Sequence, residues 1–131
     1  MRIGDDNDSL GSVANLAMQI DILSKRAHEI AQSKGFWDIV EHPAVYIALM
    51  HTELSECIEA IRNADDPRKK DDWPRAEKIN SNKYNHIEEE LADTMIRILD
   101  FAGYYGLNLG GAILDKMEYN EGRTVKHGKS F

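Results

Sequence analysis

Four acidic side chains carry the chemistry this chain could do. Glu53 and Glu56 stand in Glu53-Leu54-Ser55-Glu56, and Glu90 and Asp93 in Glu90-Leu91-Ala92-Asp93. Each pair is spaced i, i+3 within a helical pattern, so its two carboxylates share a helix face. Acidic oxygens from two helices suit a hard divalent cation. With no paired His or Cys in the pattern, the ligand type points to Mg2+ or Mn2+. A di-iron bundle would place Glu-x-x-His on two helices, and the sequence contains no Glu-x-x-His. A Mg2+ cluster between helices suggests phosphate chemistry, with the metal bridging phosphate oxygens and a carboxylate orienting water for in-line attack. Phosphate also calls for cations. Lys116 and Asn120 are spaced i, i+4, and Arg123, Lys126 and Lys129 follow. The plainer reading of that basic end is a complement to a helix dipole.

The elements that must position these groups read as helices throughout. Val13, Leu16, Ala17, Ile20, Leu23, Ala27, Ile30 and Ala31 recur at helical spacing. They predict a first helix capped by Ser9 or Ser12 and ending near Lys34, with Gly35 as its stop. A second helix should start at Pro43 or Ala44 and run to about Asn63. On its wheel Leu49, Met50, Cys57, Ala60 and Ile61 share a side, Glu53 falls among them, and Glu56 sits at the edge. A carboxylate on an apolar face is costly unless protonated, paired or metal-bound. A third helix should be capped by Ser81 or Asn82 and run to about Gly103. Its stripe is Tyr84, Ile87, Leu91, Met95, Ile98 and Ala102, with Glu90 at the margin and Asp93, Arg97, His86 and Asp100 along the same edge. A fourth, over roughly 108–120, turns Leu109, Ala112, Ile113 and Met117 inward. All three prolines lie between these segments. No strand alternation or hairpin signal interrupts them, so the fold expected is an all-α, four-helix bundle.

One acidic i, i+3 pair is ordinary on a solvated helix. Two pairs at the apolar faces of separate long helices are not. The connectors add less. Phe36 and Trp37 read equally as a hydrophobic plug over the bundle end or as a stacking surface for a nucleobase. Residues 65–81 form a charged loop with turn signals at Asp66-Pro67 and Trp73-Pro74. It could be a mobile insertion or a lid.

The totals bound the answer. A chain of 131 residues, 42% apolar and 30% charged, fits a single domain over 1–131. Residues 1–8 read as a loose acidic lead-in and 122–131 as a basic tail. A net charge of −7 argues against a nucleic-acid polymer as partner, though not against one nucleotide with its metal. No run approaches the roughly 18 apolar residues of a membrane span. The polar start, without an apolar core, is not that of a signal peptide, and Cys57 stands alone; both favour a cytoplasmic setting.

These residues resemble the MazG-like, all-α nucleoside triphosphate pyrophosphohydrolases over most of the chain, from about Leu16 to Phe131. The resemblance is carried by Glu53-x-x-Glu56 with Glu90-x-x-Asp93, by Gly35-Phe36-Trp37-Asp38 ahead of the first motif, and by Lys116-x-x-Tyr119-Asn120-x-x-Arg123-x-x-x-His127-Gly128-Lys129. Two features depart from the pattern. Thr52 stands where a glutamate often precedes the first motif, and loop 65–81 lengthens the interval between motifs.

The resemblance implies hydrolysis of a nucleoside triphosphate to its monophosphate and pyrophosphate. It implies that Glu53, Glu56, Glu90 and Asp93 hold Mg2+, and that Glu53 or Glu56 positions the attacking water. It implies that Lys116, Asn120 and Arg123 contact phosphates or sugar, that Trp37 contacts the base, and that the protein is a homodimer or homotetramer. Two other readings remain: a hydrolase of a dinucleotide or alarmone, or a catalytically silent helical oligomer that binds a nucleotide or a protein partner.

Overall fold

The computed structural model describes residues 7–129. The expected all-α architecture is present: four α-helices pack on one another, and no strand occurs among the described residues. They are α1 (Asn7–Ser33), α2 (Pro43–Arg62), α3 (His86–Tyr105) and α4 (Leu109–Glu121). Two single turns of 3-10 helix lie at Lys70–Asp72 and Val125–Gly128. α3 is the hub, with α1 and α2 both packed against it and α4 packed on α1. Among the described residues no helix is long and apolar enough to cross a membrane.

Local chemistry explains the boundaries. α1 ends as expected: Gly35 takes φ 85°, and Phe36 N donates to Ala31 O while Gly35 N donates to Gln32 O. That is the left-handed cap that consumes orphan carbonyls at a helix end. Its start differs, because Ser9 and Ser12 lie inside the helix instead of capping it; of the acidic lead-in, residues 1–6 lie outside the described residues. α2 begins on Pro43, with the His42 ring accepting from Ala44 N.

α3 departs most. It is capped by Asn85, not by Ser81 or Asn82. Asn85 Oδ1 accepts from Glu88 N at 2.8 Å, and Glu88 Oε1 accepts from Asn85 N at 3.1 Å, a reciprocal capping box. Residues 80–84 form a turn, closed by bonds from Lys83 N and Tyr84 N to Asn80 O. α3 then runs past Gly103 to Tyr105 and stops at Gly106, φ 62°. At Gly103 a Cβ would stand 2.6 Å from the Ser24 carbonyl, so glycine allows the close crossing of α1 and α3 there.

The core is thin. Trp37, Cys57, Ala60, Ala76, Ile87, Leu99 and Ala102 are its buried apolar members. The buried face of α3 is rotated from the expected stripe: Leu91 and Met95 are each 47% exposed, while Glu90 and Thr94 are buried. On α1 the expected inward residues Leu16, Leu23 and Ile30 are exposed, as is Met117 on α4. The less exposed face of α1 is instead made by Ala17, Ile20, Asp21, Ser24, Ala27 and His28.

Loop 65–85 is stapled rather than loose. Arg75 and Asn85 form an antiparallel bridge, Ala76 N donates to Tyr84 O, and His86 N donates to Pro74 O. Trp73 Nε1 donates to Pro67 O. One side chain supplies three more of these bonds: the Glu89 carboxylate accepts from the backbone N–H groups of Glu77, Lys78 and Ile79.

Candidate metal centre

α2 and α3 bring three of the four sequence-selected carboxylates together. Glu53, Glu56 and Glu90 each offer an oxygen, and these atoms lie within 4.8 Å of one another. Glu53 and Glu90 are 9% and 7% exposed, and Glu56 is the member open to solvent. Asp93 stands outside this close set, half-buried one turn along α3. Its carboxyl still feels the others: burial and then the Glu53 charge raise its pKa, against Lys78 and Arg97. Buried Cys57 reports the same field, its thiol pushed up by burial and then by Glu90, Glu53, Glu56 and Asp93.

The two buried glutamates are balanced differently. Burial works to raise the Glu53 carboxyl, but Arg97, with smaller help from hydrogen bonds to Glu90 and Glu56, holds Glu53 below the ordinary range. Arg97 Nε donates to Glu53 Oε1 at 2.8 Å. Glu90 has no guanidinium, only the His86 ring at 3.4 Å. Burial first, and then Glu56 and Glu53, push its carboxyl from 4.5 up to about 7, with only His86 opposing. Its Oε2 is buried without a hydrogen-bond partner. The nearest acidic neighbours offer carboxylate oxygens, which accept and do not donate when ionised, so they pair with Glu90 only while Glu90 holds a proton. An unsatisfied buried oxygen of this kind costs about 1–3 kcal/mol, more when charged.

A proton on Glu90 relieves this strain below about pH 7, and a hard divalent cation would relieve it above that. The cation would satisfy the orphan oxygen, offset the mutual repulsion and take its ligands from oxygen donors. The residues present therefore fit a divalent cation, of which the Mg2+ and Mn2+ expected from sequence are two. The arrangement can bind a cation through Glu53, Glu56 and Glu90 and expose it on the Glu56 side.

The expected substrate residues lie elsewhere in the chain. Lys116, Asn120 and Arg123 are exposed at the end of α4, which packs on α1, not among the carboxylates of α2 and α3. The Lys116 ammonium and the Arg123 guanidinium both sit over the Tyr119 ring, at 4.8 and 5.4 Å. Trp37 is 8% exposed and stacks with Tyr46 and Tyr104 at 4.5 and 4.0 Å. Its Nε1 donates to the Asp100 carboxylate at 2.9 Å, and His28 Nδ1 shares that carboxylate at 3.0 Å. Phe36, 70% exposed, is the open aromatic of this connector.

Three groups at the centre were not selected from sequence: Arg97 on Glu53, and Glu89 with His86 beside Glu90. A signal existed for each. Arg97 lies at i+4 from Asp93, and His86 lies at i−3 and i−4 from Glu89 and Glu90, all on the acidic edge of α3. No family model, curated protein or solved structure compared with this chain matches it.

Proposed function

We propose that this chain is a Mg2+-dependent hydrolase of nucleoside triphosphates, releasing the monophosphate and pyrophosphate, with Mn2+ as an alternative metal. The observation that carries the metal half of this reading is the buried, unpartnered Glu90 oxygen among three converging carboxylates. The nucleotide half rests on the resemblance of the paired acidic motifs and the C-terminal segment to the MazG-like enzymes. Bound here, the cation would polarise phosphate oxygens and lower the pKa of water. Glu53, Glu56 and Glu90 hold it. Glu56, open to solvent, is the carboxylate that meets and orients the attacking water. Arg97 keeps Glu53 ionised and in place.

The phosphate-binding cations Lys116 and Arg123, with Asn120, are proposed to reach such a centre from a second copy of the chain. Leu54, Ile58, Leu91 and Met95, flanking the acidic motifs on α2 and α3, are each about half exposed and form the apolar surface such a copy would cover. A homodimer or homotetramer acting on nucleotide pools in the cytoplasm is the resulting picture.

The test is a panel of common and modified triphosphates assayed for phosphate products. Mg2+-dependent pyrophosphate release, lost in Glu56→Gln and Glu90→Gln while helical content is kept, is expected. Release of orthophosphate instead, or activity surviving both substitutions, overturns the proposal. Tight binding without turnover across the panel makes the chain a silent nucleotide binder.

A further inference from the structure

The carboxylate pattern pointed to an all-oxygen site, but the fold brings a nitrogen to it. His86, the first residue of α3, lies between two glutamates. Its Nδ1 stands 2.9 Å from Glu89 Oε1, and its Nε2 stands 3.4 Å from Glu90 Oε1. His86, Glu89 and Glu90 form a second close set of donor atoms, sharing Glu90 with the first.

Glu89 is not free to ligate. Oε1 accepts from Glu77 N and faces His86 Nδ1, while Oε2 accepts from Lys78 N and Ile79 N. Its remaining role is to orient the ring. A carboxylate oxygen that only accepts requires the hydrogen on His86 Nδ1, which leaves a lone pair on Nε2 in the neutral ring. That lone pair is turned toward Glu90 Oε1, an acceptor facing an acceptor. A metal-bound histidine is held in this way, with its other nitrogen donating to a carboxylate. A proton on Nε2 would ease the single contact to Glu90 Oε1. It would leave Glu90 Oε2, buried and without a hydrogen-bond partner, to a proton of its own or to a cation. A divalent cation at Glu90 would take the His86 nitrogen as a donor beside the carboxylate.

We propose that His86 Nε2 is a ligand to a divalent cation at Glu90, with Glu89 as its positioning residue. The centre then has an imidazole donor beside its carboxylates and prefers Mn2+, which accepts nitrogen, over Mg2+, which strongly favours oxygen. This inference rests on the reading of Glu53, Glu56 and Glu90 as a cation site.

The test uses the full chain with Zn2+ as a diamagnetic probe and Mn2+ and Mg2+ as titrants. Imidazole 15N spectra should show the His86 Nε2 resonance shifting on addition of Zn2+, with Nδ1 still protonated. His86→Asn, whose amide can still donate to Glu89, should weaken Mn2+ binding by about 10–100-fold, the range seen when groups around a metal are lost. It should leave Mg2+ binding within about 3-fold, since Mg2+ takes oxygen and water ligands. His86→Gln, keeping a longer amide, should repeat this selectivity and guards against a folding defect in the first variant. An unmoved Nε2 resonance while the Glu53, Glu56 and Glu90 carboxyl carbons shift overturns the His86 ligand and leaves the carboxylate site standing. Equal loss of both metals in both variants also overturns it, as a merely structural role. If neither nitrogen nor carboxyl signals respond to any of the three metals, both readings fall together.

Discussion

Glu89 and Glu90 are neighbours in sequence, both are nearly buried, and their environments drive them in opposite directions. Glu89 faces the loop. The Glu77 amide foremost, with Lys78 N–H, His86 and Ile79 N–H, outweighs its burial and draws its carboxyl from 4.5 down to about 2. Glu90 faces α2. It meets burial and two carboxylates, and its carboxyl rises to about 7. The one-residue step along α3 turns the side chain by about 100°, enough to change its whole neighbourhood. The same residue type is thus a finished structural joint on one side and an unfinished one on the other. Burial alone does not mark a functional carboxylate. Burial without donors does.

The largest way to break this contrast is Glu90→Gln. The amide can donate to Glu53 or Glu56, so the fold should survive, with a thermal midpoint at pH 8 no lower than that of the parent. Mn2+ affinity measured by calorimetry should drop by more than about 100-fold, since loss of outer groups alone reaches that range. Retained affinity would remove Glu90 from the centre.

Glu89→Gln should do the reverse. It strips the charge that holds three backbone amides, for a loss on the order of 3 kcal/mol in urea unfolding. Exchange of the Lys78 and Ile79 amides should accelerate. Unchanged protection there would show that the loop is held by other bonds.

A smaller effect sharpens the same comparison by pH. Glu90 holds its proton in the folded state up to about 7, whereas its ordinary value is 4.5. Between these values the folded chain binds more proton than the unfolded one, so this contribution is full below 4.5 and lost as pH rises through 7. Glu89 runs the other way, contributing above 4.5 and losing that contribution as pH falls toward 2. The urea midpoint without metal should therefore decline from pH 5 to pH 8. Mg2+ competes with the Glu90 proton, so it should raise the midpoint more at pH 8 than at pH 6. A metal effect independent of pH would separate the cation from Glu90.

Much of this architecture was legible in the chain. Periodicity placed α1, α2 and α4 within a few residues, because Pro43 and Gly35 act through local backbone geometry and the Asn108 side chain caps α4 by accepting from Gly111 N. The start of α3 was misread because Ser81 and Asn82 are good caps in isolation. Asn85 wins because Glu88 completes its box and the loop pairs back at Arg75 and Ala76. The rotation of the buried face of α3 was not legible, since Leu91 and Met95 satisfy a helical stripe as well as Glu90 and Thr94 do.

By itself the sequence determined that the chain is helical and that four acids lie in two i, i+3 pairs. Both follow from spacing along one chain. Which acids meet, and with what partners, was decided only by the packing of α2 on α3. That packing drew Glu53, Glu56 and Glu90 together, left Asp93 one turn away, and placed Arg97 on Glu53. It also set His86 between a satisfied glutamate and an unsatisfied one. Charge–charge contact across 44 residues of chain, as between Arg97 and Glu53, has no local signature, because only the fold brings the two groups into reach.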